Sequence, residues 1–176
     1  MAMVSGVGMV ESNVVNVAIR GKIGDYVWWD LNGDGIQSGG ETGINGVVVR
    51  LLDTNGAPVL DDLGVPITAV TTNDSYGRPG YYRLVGVKAG DYVVDFVLPS
   101  GFVFTVYNAD SNGIDGTQNS DAAIPSGSTV SFSLAGGQAI TNIDAGLVEA
   151  SSIGNFVWFD TNGNGLQDTG ETGVNG

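Results

Sequence analysis

The sequence has no cysteine and no histidine. The first absence removes a disulfide framework and thiolate chemistry, and the second removes the commonest general base and transition-metal ligand. Most hydrolase and redox chemistries lose their usual residues at once. Basic residues are scarce too: 6 Lys and Arg stand against 19 Asp and Glu, for a net charge of −13. Nucleic acid and anionic membrane surfaces need a basic face, so neither is expected as a partner. No apolar run approaches the roughly 20 residues that span a bilayer. Met1-Ala2-Met3-Val4 lacks the basic start and long apolar centre of a signal peptide, so export is expected through another signal or from sequence upstream. Helix-forming Lys, Glu and Gln are few while 29 of 176 residues are glycine, which points to an all-β chain long enough to bury one core of ordinary size.

What is present is organised around Asp30-Leu31-Asn32-Gly33-Asp34-Gly35-Ile36-Gln37-Ser38-Gly39-Gly40-Glu41. Oxygen-bearing side chains stand at loop positions 1, 3, 5 and 9, glycine at 6 and glutamate at 12, the spacing of an EF-hand calcium loop. Ca²⁺ takes six to eight oxygens, so a short loop has to turn back on itself and aim alternate side chains inward. Asp30, Asn32, Asp34 and Ser38 are the candidate side-chain ligands, Ile36 the backbone-carbonyl ligand and Glu41 the bidentate one. The alternative is an Asx-rich turn, because Asn, Asp and Gly are also ordinary turn residues.

The loop occurs twice. Residues 23–46 recur as 153–176, with fifteen of 24 positions identical. The second loop offers Asp160, Asn162, Asn164, Leu166, Asp168 and Glu171. Asn164 replaces Asp34 and loses a carboxylate, and Asp168 replaces Ser38 and restores one. A turn has no need to hold that count. Neither loop is followed by an amphipathic helix; Thr42-Gly43-Ile44-Asn45-Gly46 feeds the β-prone run Val47 to Leu52.

Residues 1–22 read as an N-terminal arm or the last strand of a preceding repeat, since 12–20 resemble 141–149 in composition. Residues 23–149 read as one repeat and 150–176 as the first strand and loop of a next, incomplete one. Within the repeat, Ile23 to Trp29 is expected as a strand with aromatics on both faces. Val47, Val49 and Leu51 are expected inside, as are Tyr92, Val94 and Phe96, then Phe102, Phe104 and Val106. Val130, Phe132 and Leu134 are expected to face in while Thr129, Ser131 and Ser133 face out, and Ile143, Ala145 and Leu147 close the unit. About seven or eight alternating strands separated by turns describe a Greek-key β-sandwich, prealbumin- or immunoglobulin-like. A second candidate metal site is Asp110, Asn112 and Asp115, with Asp121 and Asp144 as late ligands; Asp61, Asp62 and Asp74 read as surface.

The motifs Ile-Gly-x-Tyr-Val-Trp, Asp-x-Asn-Gly-x-Gly-x-Gln, Glu-x-Gly-Ile-x-Gly-Val-x-Val, Gly-x-Tyr-x-Val-x-Phe with Pro-Ser-Gly-Phe, and Asn-Ile-Asp-Ala-Gly-Leu make the chain resemble the SdrD B-repeat family, relatives of the Cna B-type modules. The resemblance covers 23–149 whole and 153–176 as the start of another module. It implies an extracellular bacterial surface module in which Ca²⁺ rigidifies tandem sandwiches. The wider Cna B-type group joins a strand lysine to an asparagine, for which Lys22 and Asn142 flank suitable strands. Ser152 stands at the place of Lys22 in the second copy, so Lys22 reads as solvated.

The residues leave three functional classes to distinguish. The expected one is a calcium-stabilised structural repeat, either a rigid spacer or a self-assembling subunit of a filament or surface layer. Its partners would be neighbouring repeats or identical subunits docked head to tail, with the half repeat completed by further strands of a longer array or by a neighbouring subunit. The alternative is an adhesin or carbohydrate- or protein-binding module using Trp28, Trp29, Tyr81 and Tyr82 as a stacking platform. Membrane insertion and a small-molecule ligand are not expected. An enzyme is the third class and the one with least to support it, because the clustered carboxylates are claimed by the loops.

Overall fold

The computed structural model describes residues 19–109, 118–151 and 156–175. The arm over residues 1–18, the strand start at 153–155 and the candidate ligands Asp110, Asn112 and Asp115 lie outside them. The described residues form an all-β sandwich without a helix. One sheet contains β1 (Gly21–Trp29), β4 (Tyr81–Val87), β6 (Phe102–Phe104), β8 (Ala139–Ile140) and β9 (Ala145–Glu149), in the order β4-β1-β9-β6 with β8 also on β1. The other contains β2 (Val48–Asp53), β3 (Thr68–Val70), β5 (Gly90–Phe96) and β7 (Phe132–Leu134), in the order β3-β2-β5-β7.

The facing sides of the sheets follow from period-two alternation. Val49 and Leu51 on β2 are buried while Val48 and Arg50 are exposed. Tyr82 and Leu84 on β4, Tyr92, Val94 and Phe96 on β5, and Ala145 and Leu147 on β9 meet them in one core. Tyr82 stands edge-on to Phe96 at 5.6 Å between ring centroids. β1 is buried on both faces. Ile23 and Val27 join the core, whereas Trp28 lies across Gly146 and Thr105, on the side of β9 opposite Ala145 and Leu147. That second face is covered by loops, and there the candidate site is built.

Three expectations are corrected. Val106 is exposed because the chain leaves the sheet at Thr105, whose amide still bonds Gly146 O at 3.0 Å. Thr129 is buried and Val130 exposed, the reverse of the expected facing. The cause is a break in alternation: Thr129 exchanges bonds with Val94 through its amide at 2.9 Å and its hydroxyl at 3.1 Å, so it turns toward β5. In the second copy the described residues after 155 form no strand; Trp158 makes a single bridge to Gly173, and Phe156, Val157 and Phe159 are exposed.

Gly43 shows why the loop and the strand after it stay together. A Cβ there would sit 1.9 Å from Pro79 O, so only glycine lets the Pro79-Gly80 backbone cross this close. In chemical denaturation, Leu51→Ala is expected to cost about 2–5 kcal/mol, whereas Val48→Ala on the outer face changes stability by no more than about 0.5 kcal/mol. Equal losses at both positions would contradict this facing.

Candidate functional site

The loop that follows β1 starts at Asp30, which is buried at 1 % exposure. Its Oδ1 accepts the Gly33 amide at 2.7 Å, and its Oδ2 accepts the Gly35 amide at 2.8 Å and the Thr105 hydroxyl. Burial alone would raise this carboxyl's pKa; those donors more than offset it and hold the pKa below the ordinary value. Asn32 Oδ1 accepts the Asp34 amide and Asp34 Oδ1 accepts the Ile36 amide. Glu41 then closes the loop, with Oε1 on the Leu31 amide at 3.0 Å and Oε2 on the Ser38 amide at 2.7 Å.

The second loop repeats this skeleton. Asp160 accepts Gly163 and Gly165, Asn162 accepts Asn164, Asn164 accepts Leu166, and Glu171 accepts Thr161 and Asp168. Asp168 also accepts the side-chain amides of Asn162 and Asn164. Main-chain and side-chain donors hold Asp160, Asp168 and Glu171 below their usual pKa values. Both loops therefore share a frame in which backbone amides fix the side-chain oxygens of their first, third, fifth and twelfth residues. Among the described residues no three acidic side chains converge on one point, and the loop carboxylates face N–H and O–H donors.

What seats the first loop on the sandwich was not legible in the motif. The segment from Gln118 to Ala122 lies across it: Gln37 donates to Gln118 O at 2.6 Å, and Ser120 donates to Gly35 O at 3.1 Å. A Cβ on Gly35 would come within 2.4 Å of Val106 O, and its φ of +79° also requires glycine. From the same segment, Ser120 Oγ accepts the Gly146 amide. Asp121 and Asp144 are bonded reciprocally, Asp121 N to Asp144 O at 2.9 Å and Asp144 N to Asp121 Oδ2 at 2.8 Å. Asn119, Ser120, Asp121 and Asp144 are all buried.

Asp144 fills the interval between β8 and β9 along β1, where its Oδ1 accepts the Tyr26 amide at 3.1 Å. Its Oδ2 is buried without a hydrogen-bond partner. Burial raises its pKa, and the nearby charges of Asp25 and Asp121 add to that, against the Tyr26 amide. Asp25 itself is pushed up to about 7 by burial, against the lowering effect of Arg78. A carboxylate inside an otherwise apolar strand was the sequence signal for Asp25, and Asn155 stands at its place in the second copy.

Other expectations are settled by exposure. Trp28 and Tyr82 are buried at 0 % and 1 %, so Trp28, Trp29, Tyr81 and Tyr82 form no platform; Trp29 packs edge-on against Phe102. Lys22 is exposed, opposite in facing to Ile23. Asp61 and Asp62 are exposed, but Asp74 is not a plain surface group: it accepts the Tyr26 hydroxyl at 2.6 Å and pairs with Arg78 at 2.7 Å.

The acid pair fixes a sign for pH dependence in chelator. Between the unfolded value of 3.8 and about 7, the folded chain holds protons that the unfolded chain has released. Stability of the metal-free chain therefore falls as pH rises through that window, while the carboxylates with lowered pKa values lose their contribution only below it. Asp25→Asn flattens this slope, and a slope unchanged by Asp25→Asn in pH-dependent melting would remove Asp25 as its source.

The chain is similar to known proteins. The chain is 35% identical over 156 residues to serine-aspartate repeat-containing protein F of Staphylococcus epidermidis, covering 88% of this chain and 8% of that protein. It is 37% identical over 156 residues to serine-aspartate repeat-containing protein C of Staphylococcus aureus, covering 88% of this chain and 14% of that protein. The chain thus spans a small part of these relatives. Among solved structures, a minor pilin of Streptococcus agalactiae aligns with TM-score 0.45 at 17% identity, over 79% of this chain and 48% of that one. The major pilin subunit of Bacillus cereus aligns with TM-score 0.43 at 17% identity, over 75% and 31%. The family model for the SdrD B-like domain matches residues 21–147 and again 151–176, and the chain belongs to that family.

Proposed function

We propose that this chain is a calcium-stabilised structural repeat of an extracellular bacterial surface protein, serving as a rigid spacer or as a self-assembling subunit of a filament or surface layer. The observation that carries the reading is the shared hydrogen-bond skeleton of the two loops. It survives the exchange of Asp34 for Asn164 and of Ser38 for Asp168, so what is kept is a backbone frame with three carboxylates, Asp30, Asp34 and Glu41 in one and Asp160, Asp168 and Glu171 in the other. All the donors are oxygens, which suits a hard cation such as Ca²⁺.

Asp30, Asn32, Asp34, Ile36, Ser38 and Glu41 would hold one ion, with the corresponding residues from Asp160 to Glu171 holding another. Asp121 and Asp144 would contribute to a further site, where the unpartnered Asp144 Oδ2 is the oxygen a cation would satisfy. A bound ion supplies positive charge among carboxylates that otherwise repel, and this chain's own amides keep those carboxylates oriented. Because Asp30 is tied to Thr105 and Gly35 to Ser120, ordering the loop also orders the end of the sandwich.

Binding to the folded state alone stabilises it by RT ln(1 + [Ca²⁺]/Kd), about 2.7 kcal/mol at a hundredfold excess over Kd. Millimolar Ca²⁺ is therefore expected to raise the melting temperature, and Asp30→Ala to remove most of that increase. Light scattering and electron microscopy with Ca²⁺ and with chelator separate the two roles: calcium-dependent filaments identify a self-assembling subunit, and a calcium-stabilised monomer a spacer. Melting that is indifferent to Ca²⁺ would overturn the reading.

A further inference from the structure

β3 and β4 are the outer strands of the two sheets on one side of the sandwich, joined at one end only. Thr72 and Tyr81 exchange both backbone bonds at 2.8 Å. On β4, Gly80 O accepts the Val27 amide, so Gly80, Tyr82 and Leu84 turn their backbone groups toward β1. Tyr81, Arg83 and Val85 turn theirs away. On β3, the Thr71 amide reaches Val47 O, so Thr68 and Val70 also turn theirs away from the neighbouring strand. Continuing the Thr72 and Tyr81 pairing would set Val70 against Arg83 and Thr68 against Val85, yet no backbone bond joins them among the described residues. The strands splay instead, and a groove of about 710 Å³ opens between them, lined by Val70, Tyr76, Arg78, Tyr81, Arg83 and Val85 among others.

The groove differs in charge from the rest of the molecule. Its charged lining is Arg78, Arg83 and Asp74, a net positive charge on a chain of −13. Asp74 is already engaged by Arg78 and Tyr26, while Arg83 has no ion-pair partner among the described residues. Val70 and Val85 are more than half exposed and Tyr76 is 85 % exposed, with Arg78 stacked 5.5 Å from its ring centre. An edge strand with outward backbone groups and apolar flanks is a template for another strand. The guanidiniums select its charge.

We propose that the outer edge of β4 is a docking site for an extended acidic segment of a partner protein, which pairs with the backbone of Arg83 and Val85 and lies in the groove against β3. The apolar residues of the segment face Val70, Val85 and Tyr81, and its carboxylates meet Arg83 and Arg78. Main-chain pairing supplies affinity and the side chains supply selectivity, the division expected for β-strand addition.

The test uses the full chain with Ca²⁺ and a short synthetic peptide of repeat Val-Ser-Asp-Ser, whose Val and Asp side chains share one face of the strand, followed by amide NMR. The expected result is perturbation confined to Thr68, Val70, Arg83, Val85 and the surrounding groove. Arg83→Glu should weaken binding by about tenfold. Val85→Pro removes an outward amide that the fold does not use, so it should abolish binding with the melting temperature nearly unchanged. A peptide with Lys in place of Asp that binds equally well overturns the proposal, as does binding that survives Val85→Pro. Concentration-dependent broadening at the same amides without peptide would assign the edge to a second copy and also overturn it.

Discussion

One buried carboxylate ties the loop to the sandwich. Asp30 sits where β1 ends, and its two oxygens collect the amides of Gly33 and Gly35 and the hydroxyl of Thr105 from the strand end on the far side of β9. A carboxylate at 1 % exposure is costly unless its lone pairs are satisfied, and here each oxygen is. The bend after β1, the crossing segment from Gln118 to Ala122 and the burial of Trp28 all depend on that clasp. It explains how a glycine-rich loop is held in one conformation without a helix at either end.

The molecule has two cores of different chemistry sharing β1 and β9. Between the sheets the contacts are apolar and non-directional, so that core tolerates changes that keep volume. On the outer face of β1 and β9 the contacts include directional hydrogen bonds, Asp121 with Asp144, Ser120 with the Gly146 amide and Asn119 with Asn108, near the buried Trp28. Such a network specifies one arrangement, and it costs more when one member is lost than any single apolar contact would. The first-loop site and the site at Asp144 adjoin the second core, which would place charge control where geometry is most narrowly defined.

The all-β class, the sandwich and most inward positions were legible because alternation is a local property, as Val49, Leu51, Val94, Phe96, Ala145 and Leu147 show. Thr129 and Val130 were misread because a side-chain hydroxyl bonding β5 shifted the facing by one residue, an event that depends on a distant strand. The paired loops were legible from their spacing, and the structure gives both the same bonds. Thr105 and Ser120 were not, since nothing around them in sequence marks residues that serve a loop 70 or more positions away. The aromatic platform failed for a related reason: Trp28 and Tyr82 look available in sequence, and only the folded neighbours show that they are covered.

β1 and β9 run parallel and adjacent, the first strand of the repeat beside its last. The chain thus enters the repeat at the start of one and leaves at the far end of the other. Tension along a tandem array would pull these strands past each other lengthwise and load their rungs together, the geometry of a lap joint rather than a zipper. Asp144 fastens to β1 through the Tyr26 amide and Ser120 to β9 through the Gly146 amide, so side chains reinforce both strands of that seam.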